Sequence, residues 1–168
     1  SDEYKKTYLD LIDSAFYRYS NQMLVILSSY LELIIQDFFE VFFYHKPNKM
    51  KNTYGYLDLE SLLKTKSKEE LITILSKIAA TNATKGGIKS KIEKIEKLFK
   101  ISIDEKLKNN LITLIKHRNK IVHENSLFDV NYDIIDRTSD NIVAILKELG
   151  LILKRNKIPI NDKGGLIG

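Results

Sequence analysis

The chain of 168 residues has no cysteine, only two prolines, and seven glycines, four of which fall at position 150 or later. Without cysteine there are no disulfides and no thiolate metal ligands, and a reducing cytoplasm is the simplest setting. Few prolines and glycines leave few places to break a helix, which favours a globular, mostly helical protein. The opening SDEYKKTYLDL lacks a basic stretch followed by an apolar one, so a secretory signal is not expected. Long apolar runs are scarce too. LVILSSYLELIIQDFFEVFF, residues 24–43, is long enough to cross a bilayer, but Glu32, Gln36, Asp37 and Glu40 make that costly, and a buried helix is expected instead of a membrane span. The three histidines are scattered, with no HxxxH or HxxE pair, and Gly86-Gly87 lacks the rest of a phosphate loop. No metal and no cofactor are expected.

What the chain does have is 43% apolar and 29% charged residues, suited to one domain with a single core. The net charge of +5 is unevenly spread: Lys85–Lys120 holds eleven Lys/Arg against four Asp/Glu, leaving −2 for everything else. A basic stripe of this kind steers phosphate polymers toward a surface. The plainer reading is a solvated face in a sequence rich in Lys, Asn and Ile.

Apolar residues at Tyr8, Leu11, Ile12, Ala15 and Phe16 predict an amphipathic helix over 4–18. A second helix is predicted over 20–45, with Ser28, Glu32, Gln36 and Glu40 as a narrow polar strip on an otherwise apolar cylinder. Lys46-Pro47-Asn48 ends it. A short helix follows over 57–65, and Ser67-Lys68-Glu69-Glu70 offers a capping box ahead of 69–80. After Gly86-Gly87, residues 88–100 are apolar at 88, 92, 95, 98 and 99, one buried seam on an exposed basic helix. Ser102-Ile103-Asp104-Glu105 is a second capping box, opening a helix that runs to about His123 with Leu107, Leu111, Leu114, Ile115, Ile121 and Val122 facing the core. A last helix over 133–149 is closed by Gly150. The fold class is all-α, an antiparallel bundle of five to six helices over residues 1–150, with a loose C-terminal extension over 151–168.

KHRNKIVHEN, residues 116–125, departs from the Leu, Ile and Lys around it. Asn119 and His123 are four apart, about 40° around a helix, and share a face, whereas Arg118 and His123 are five apart, roughly 140°. One regular helix does not aim both at a single atom. Convergence requires a bent or ending helix, or a matching helix from a second chain related by a twofold axis. The structural alternatives are that Arg118 is a surface cation and His123 a capping residue near a helix C-terminus. His117 lies about 100° from Arg118 and is expected to be exposed. His45 reads as a helix-end residue, and Tyr54 and Tyr56, in a loop, are placed to stack on bases.

Arg118-Asn119-Lys120-Ile121-Val122-His123 resembles the RNxxxH motif of the HEPN superfamily (higher eukaryotes and prokaryotes nucleotide-binding domains). The apolar residues beside it, the acidic Glu32 in an earlier long helix, and a further helix after the motif resemble that layout over roughly 5–150. The resemblance implies a metal-independent endoribonuclease of a prokaryotic defence or toxin–antitoxin type, active as a homodimer and using the 2′-hydroxyl of its RNA. It implies His123 as general acid/base, Arg118 on the scissile phosphate, Asn119 orienting phosphate or imidazole, and Glu32 pairing with Arg118 or setting the His123 tautomer. Lys89, Lys91, Lys94, Lys116 and Lys120 of the basic stripe are the expected RNA-binding residues. Glu124 departs from the small residue many relatives carry there. An antitoxin or further domains of a longer protein are the other expected partners. The alternatives are a catalytically inactive HEPN module for dimerisation or regulation, and a helical adaptor that cuts nothing.

Overall fold

The computed structural model describes residues 2–52, 63 and 65–160. Among these are five α-helices and no strand: α1 (Asp2–His45), α2 (Lys68–Ala83), α3 (Ile88–Phe99), α4 (Glu105–Glu124) and α5 (Tyr132–Arg155), with a 3-10 turn at Pro47–Asn52 after α1. The all-α class follows from the sequence as expected. No helix among the described residues is long and apolar enough to cross a membrane. The helix predicted over 57–65, apart from Leu63 and Thr65, and the stacking residues Tyr54 and Tyr56 lie outside the described residues. The chain divides into two compact units, residues 1–31 with 104–144 and residues 32–103 with 145–168.

In the first unit, the joint expected between two helices near residue 19 does not form. No proline or glycine occurs between Asp2 and His45, so nothing breaks the hydrogen-bond ladder. The polar Ser20 and Asn21, just after the expected joint, are turned inward and buried. Asn21 Oδ1 accepts from the Phe128 N–H (2.9 Å), and Asn21 Nδ2 donates to the Phe128 carbonyl (2.9 Å), so one amide fastens the loop between α4 and α5 to α1. Leu107, Leu111 and Leu114 line the buried side of α4 at the expected spacing. Val122, expected in that core, is instead 49% exposed. Asn110 Nδ2 donates to Asn141 Oδ1 (3.1 Å), joining α4 to α5.

In the second unit, Phe38, Phe39, Phe42 and Phe43 are all buried, and Phe99 meets Phe42 edge-on at 4.6 Å and 81°. Fully burying such a ring is worth about 1.5–3 kcal/mol relative to exposure. Helix α2 begins where its sequence says it should. Ser67 Oγ accepts from the Glu70 N–H, while the Glu70 carboxylate accepts from the N–H of Lys66, one residue earlier than a strict capping box. Gly86, at φ +98, makes the turn into α3 that an L side chain rarely adopts. On α3 the seam of Ile88, Ile92 and Ile95 is buried as predicted.

Helix α5 does not stop at Gly150. Ile145, Leu149 and Ile152 continue one buried stripe past it, and Gly150 is itself buried within the helix. The closing residue is Lys157, at φ 57, after which the Ile158 N–H donates to Leu153 O (3.1 Å).

Candidate functional site

The motif lies at the end of α4. Asp104, and not Ser102, caps the start, its carboxylate accepting from the Leu107 N–H (2.8 Å). At the other end Asn125 turns left-handed (φ 50, ψ 31), the conformation asparagine tolerates best after glycine, and the N–H groups of Asn125 and Ser126 close on Lys120 O. His123 is thereby set in the last turn, exposed, and the helix continues through it to Glu124.

Arg118 is half-buried. Its Nη1 donates to Asn119 Oδ1 (3.0 Å), while its Nε is buried without a partner. No carboxylate pairs with the guanidinium among the described residues. An unmade hydrogen bond on a buried N–H costs about 1–3 kcal/mol, so the group has donor capacity in reserve for an acceptor from outside. Of the expected site residues, the structure brings Arg118 and Asn119 into direct contact. The side chains of Asn119, Lys116 and Lys120 are exposed on the same helix.

Glu32 and Lys91 have a partner in each other. Lys91 Nζ donates to Glu32 Oε1 at 3.1 Å, and the Lys91 side chain is only 9% exposed. That ammonium is a structural counter-ion. Lys94 is occupied as well: Nζ donates to Ala83 O and Lys85 O, both 2.9 Å, closing the C-terminal end of α2. Lys89 remains on the surface, with Glu93 4.0 Å away.

The expectation for His117 is corrected. It is half-buried, its ring 4.6 Å from that of Phe128, and the Lys120 ammonium stands 6.0 Å over the same ring. Burial, and then the positive charge of Lys120, push the His117 imidazole below its ordinary pKa of 6.5. His117 also edges a concave site of about 310 Å³ between α4 and α5. Sequence reading missed this site because its residues are 30 positions apart. The one available signal was Lys106, Asn110, Thr113 and His117 recurring on a single face of α4. Among the described residues no three His, Asp or Glu side chains converge as a metal site.

Residues 2–155 match the family described as RiboL-PSP-HEPN. No curated protein and no solved structure matches.

Proposed function

The chain belongs to the RiboL-PSP-HEPN family, and from that premise we propose that it is a metal-independent endoribonuclease whose site is completed by a second copy of itself. Membership of a HEPN family supports an RNA-related role in general. The observation that carries the finer reading is Arg118: half-buried, unpaired by any carboxylate among the described residues, and held by the asparagine of its own motif. A guanidinium fork kept in that condition suits a phosphate and the negative charge that grows on it during cleavage. His123 is the proton-transfer group, taking the 2′-hydroxyl proton or delivering one to the leaving oxygen. Asn119 sets the rotamer of Arg118. Glu32 and Lys91 serve the fold, and of the five lysines expected to bind RNA, Lys89, Lys116 and Lys120 are left to attract it.

The pairing of two copies is supported from two sides. Helix α4 stays helical past His123, which removes the option of a helix ending between Arg118 and His123 to bring them together. The first unit also exposes apolar surface that a second copy would cover: Val122 inside the motif, Leu127 just after it, and on α1 the three tyrosines Tyr8, Tyr19 and Tyr30, which are 60–67% exposed. The tyrosines recur every eleven residues, close to three whole turns, and therefore share one face. The setting proposed is that of a toxin or another defence factor acting on cellular RNA.

The test is incubation of the purified chain with total RNA in EDTA. Wild type is expected to fragment RNA, with His123→Ala and Arg118→Ala each lowering the rate by about 10²-fold or more. A wild type that leaves RNA intact under every condition refutes the nuclease and favours the inactive dimerisation module.

A further inference from the structure

The concave site between α4 and α5 is lined by neutral polar and cationic groups from two helices. Lys106, Asn110, Thr113 and His117 come from α4, and Arg137, Thr138 and Asn141 face them from α5. Leu24, Leu114 and Ile134 complete the lining. No carboxylate lines it, although α5 carries Asp133, Asp136 and Asp140.

Several of its polar groups are bonded within the protein. Asn141 Oδ1 takes the Asn110 amide, and Asn141 Nδ2 donates to Arg137 O (2.7 Å). The hydroxyls of Thr113 and Thr138 donate to carbonyls of their own helices, Asn109 O and Ile134 O. Its cationic donors are largely unspent. Lys106 has no ion pair among the described residues, and Arg137 spends only Nε, on Asp133 O, leaving both terminal nitrogens. His117 and the second amide hydrogen of Asn110 add further donors. A concavity with spare donors on two facing helices, and cations without counter-ions, is built for an anion with several oxygens. Its volume is at the lower end of the roughly 300–1,000 Å³ of small-ligand sites, enough for a phosphate with its sugar.

We propose that this site, formed by Lys106, Arg137, His117 and Asn110, is a subsite for a non-scissile phosphate of single-stranded RNA. The polymer is favoured over a free phosphate ester by where the subsite ends. His117 is followed directly by Arg118, so a strand with one phosphate on Arg118 lays a neighbouring phosphate at the pocket, and Lys120 beside Phe128 continues the basic track. Contacts of this kind fix the register of the strand without reading its bases. The subsite rests on the RNA-binding part of the reading above and not on cleavage.

The experiment uses the full chain carrying His123→Ala, which binds without cutting, and a fluorescein-labelled single-stranded oligoribonucleotide followed by anisotropy over a salt series. Adding Lys106→Ala and Arg137→Ala together is expected to weaken binding about tenfold and to flatten the slope of log Kd on log salt by about one to two. Both side chains are exposed, and a thermal melt of the triple variant verifies its fold; Lys106→Gln with Arg137→Gln repeats the test at nearly constant bulk. A second readout is the His117 ring resonance by NMR, with His45 as the reference that stays still. RNA is expected to move it, and inorganic phosphate and a mononucleotide to move it only at much higher concentration. RNA affinity and slope unchanged in both double variants overturns the subsite. So does a His117 signal that follows the mononucleotide and ignores RNA. If RNA binding depends on Lys106 and Arg137 while wild type cuts nothing, the subsite stands and the nuclease reading alone fails.

Discussion

Single side chains carry much of the arrangement around the motif. Asn21 is the clearest case, since one buried amide satisfies both the N–H and the carbonyl of Phe128 across 107 positions of sequence. Asn21→Ala leaves both backbone groups without partners and is expected to destabilise the fold by about 2–4 kcal/mol, measured by urea denaturation. The loop it holds carries the ring on which His117 rests, so the His117 resonance should shift in the same variant. His117 itself predicts a pH dependence. Its pKa is depressed by burial and by Lys120, so the neutral imidazole is the form the fold accommodates. The unfolded chain takes up the proton first as pH falls below 6.5, and stability drops from there until the folded pKa is passed. His117→Gln should flatten that part of a melting-temperature profile between pH 7 and 5.

Elements explain what was legible in the sequence. The cap of α2 was, because a hydroxyl three residues ahead of an N–H is local chemistry, whereas the box read at Ser102 gives way to Asp104. Ser67→Ala should cost α2 about 1 kcal/mol, read as a fall in the urea midpoint. The seam of α3 and the buried leucines of α4 were legible from period alone. The two errors at helix ends share a cause. The break expected near residue 19 and the stop expected at Gly150 both fall where residues turn inward: Ser20, Asn21 and Gly150 are buried, and Asn21 is held by a loop 107 positions away, which no local pattern encodes. The motif was legible as a string, but its lysines were not sorted, since Lys91 and Lys116 look alike until Glu32 is found beside one of them. Lys91→Met should therefore be close to neutral for RNA binding, and Lys116→Ala should weaken it.

For the whole molecule, the question is how one helix supplies both halves of a reaction that needs them at one phosphate. Arg118 and His123 stand roughly 140° apart on a helix that does not end between them, so the account requires a second chain. Light scattering should give twice the mass of the chain, and Tyr19→Glu on the exposed face of α1 should lower it toward the single mass and reduce cleavage in parallel. The most direct measurement mixes two inactive proteins, Arg118→Ala and His123→Ala, after brief denaturation and refolding together. With random pairing, half the dimers are mixed and each keeps one intact Arg118/His123 pair, so roughly a quarter of the wild-type RNase rate should return. If the mixture is as inactive as its components while wild type treated the same way cuts RNA, the shared site is contradicted.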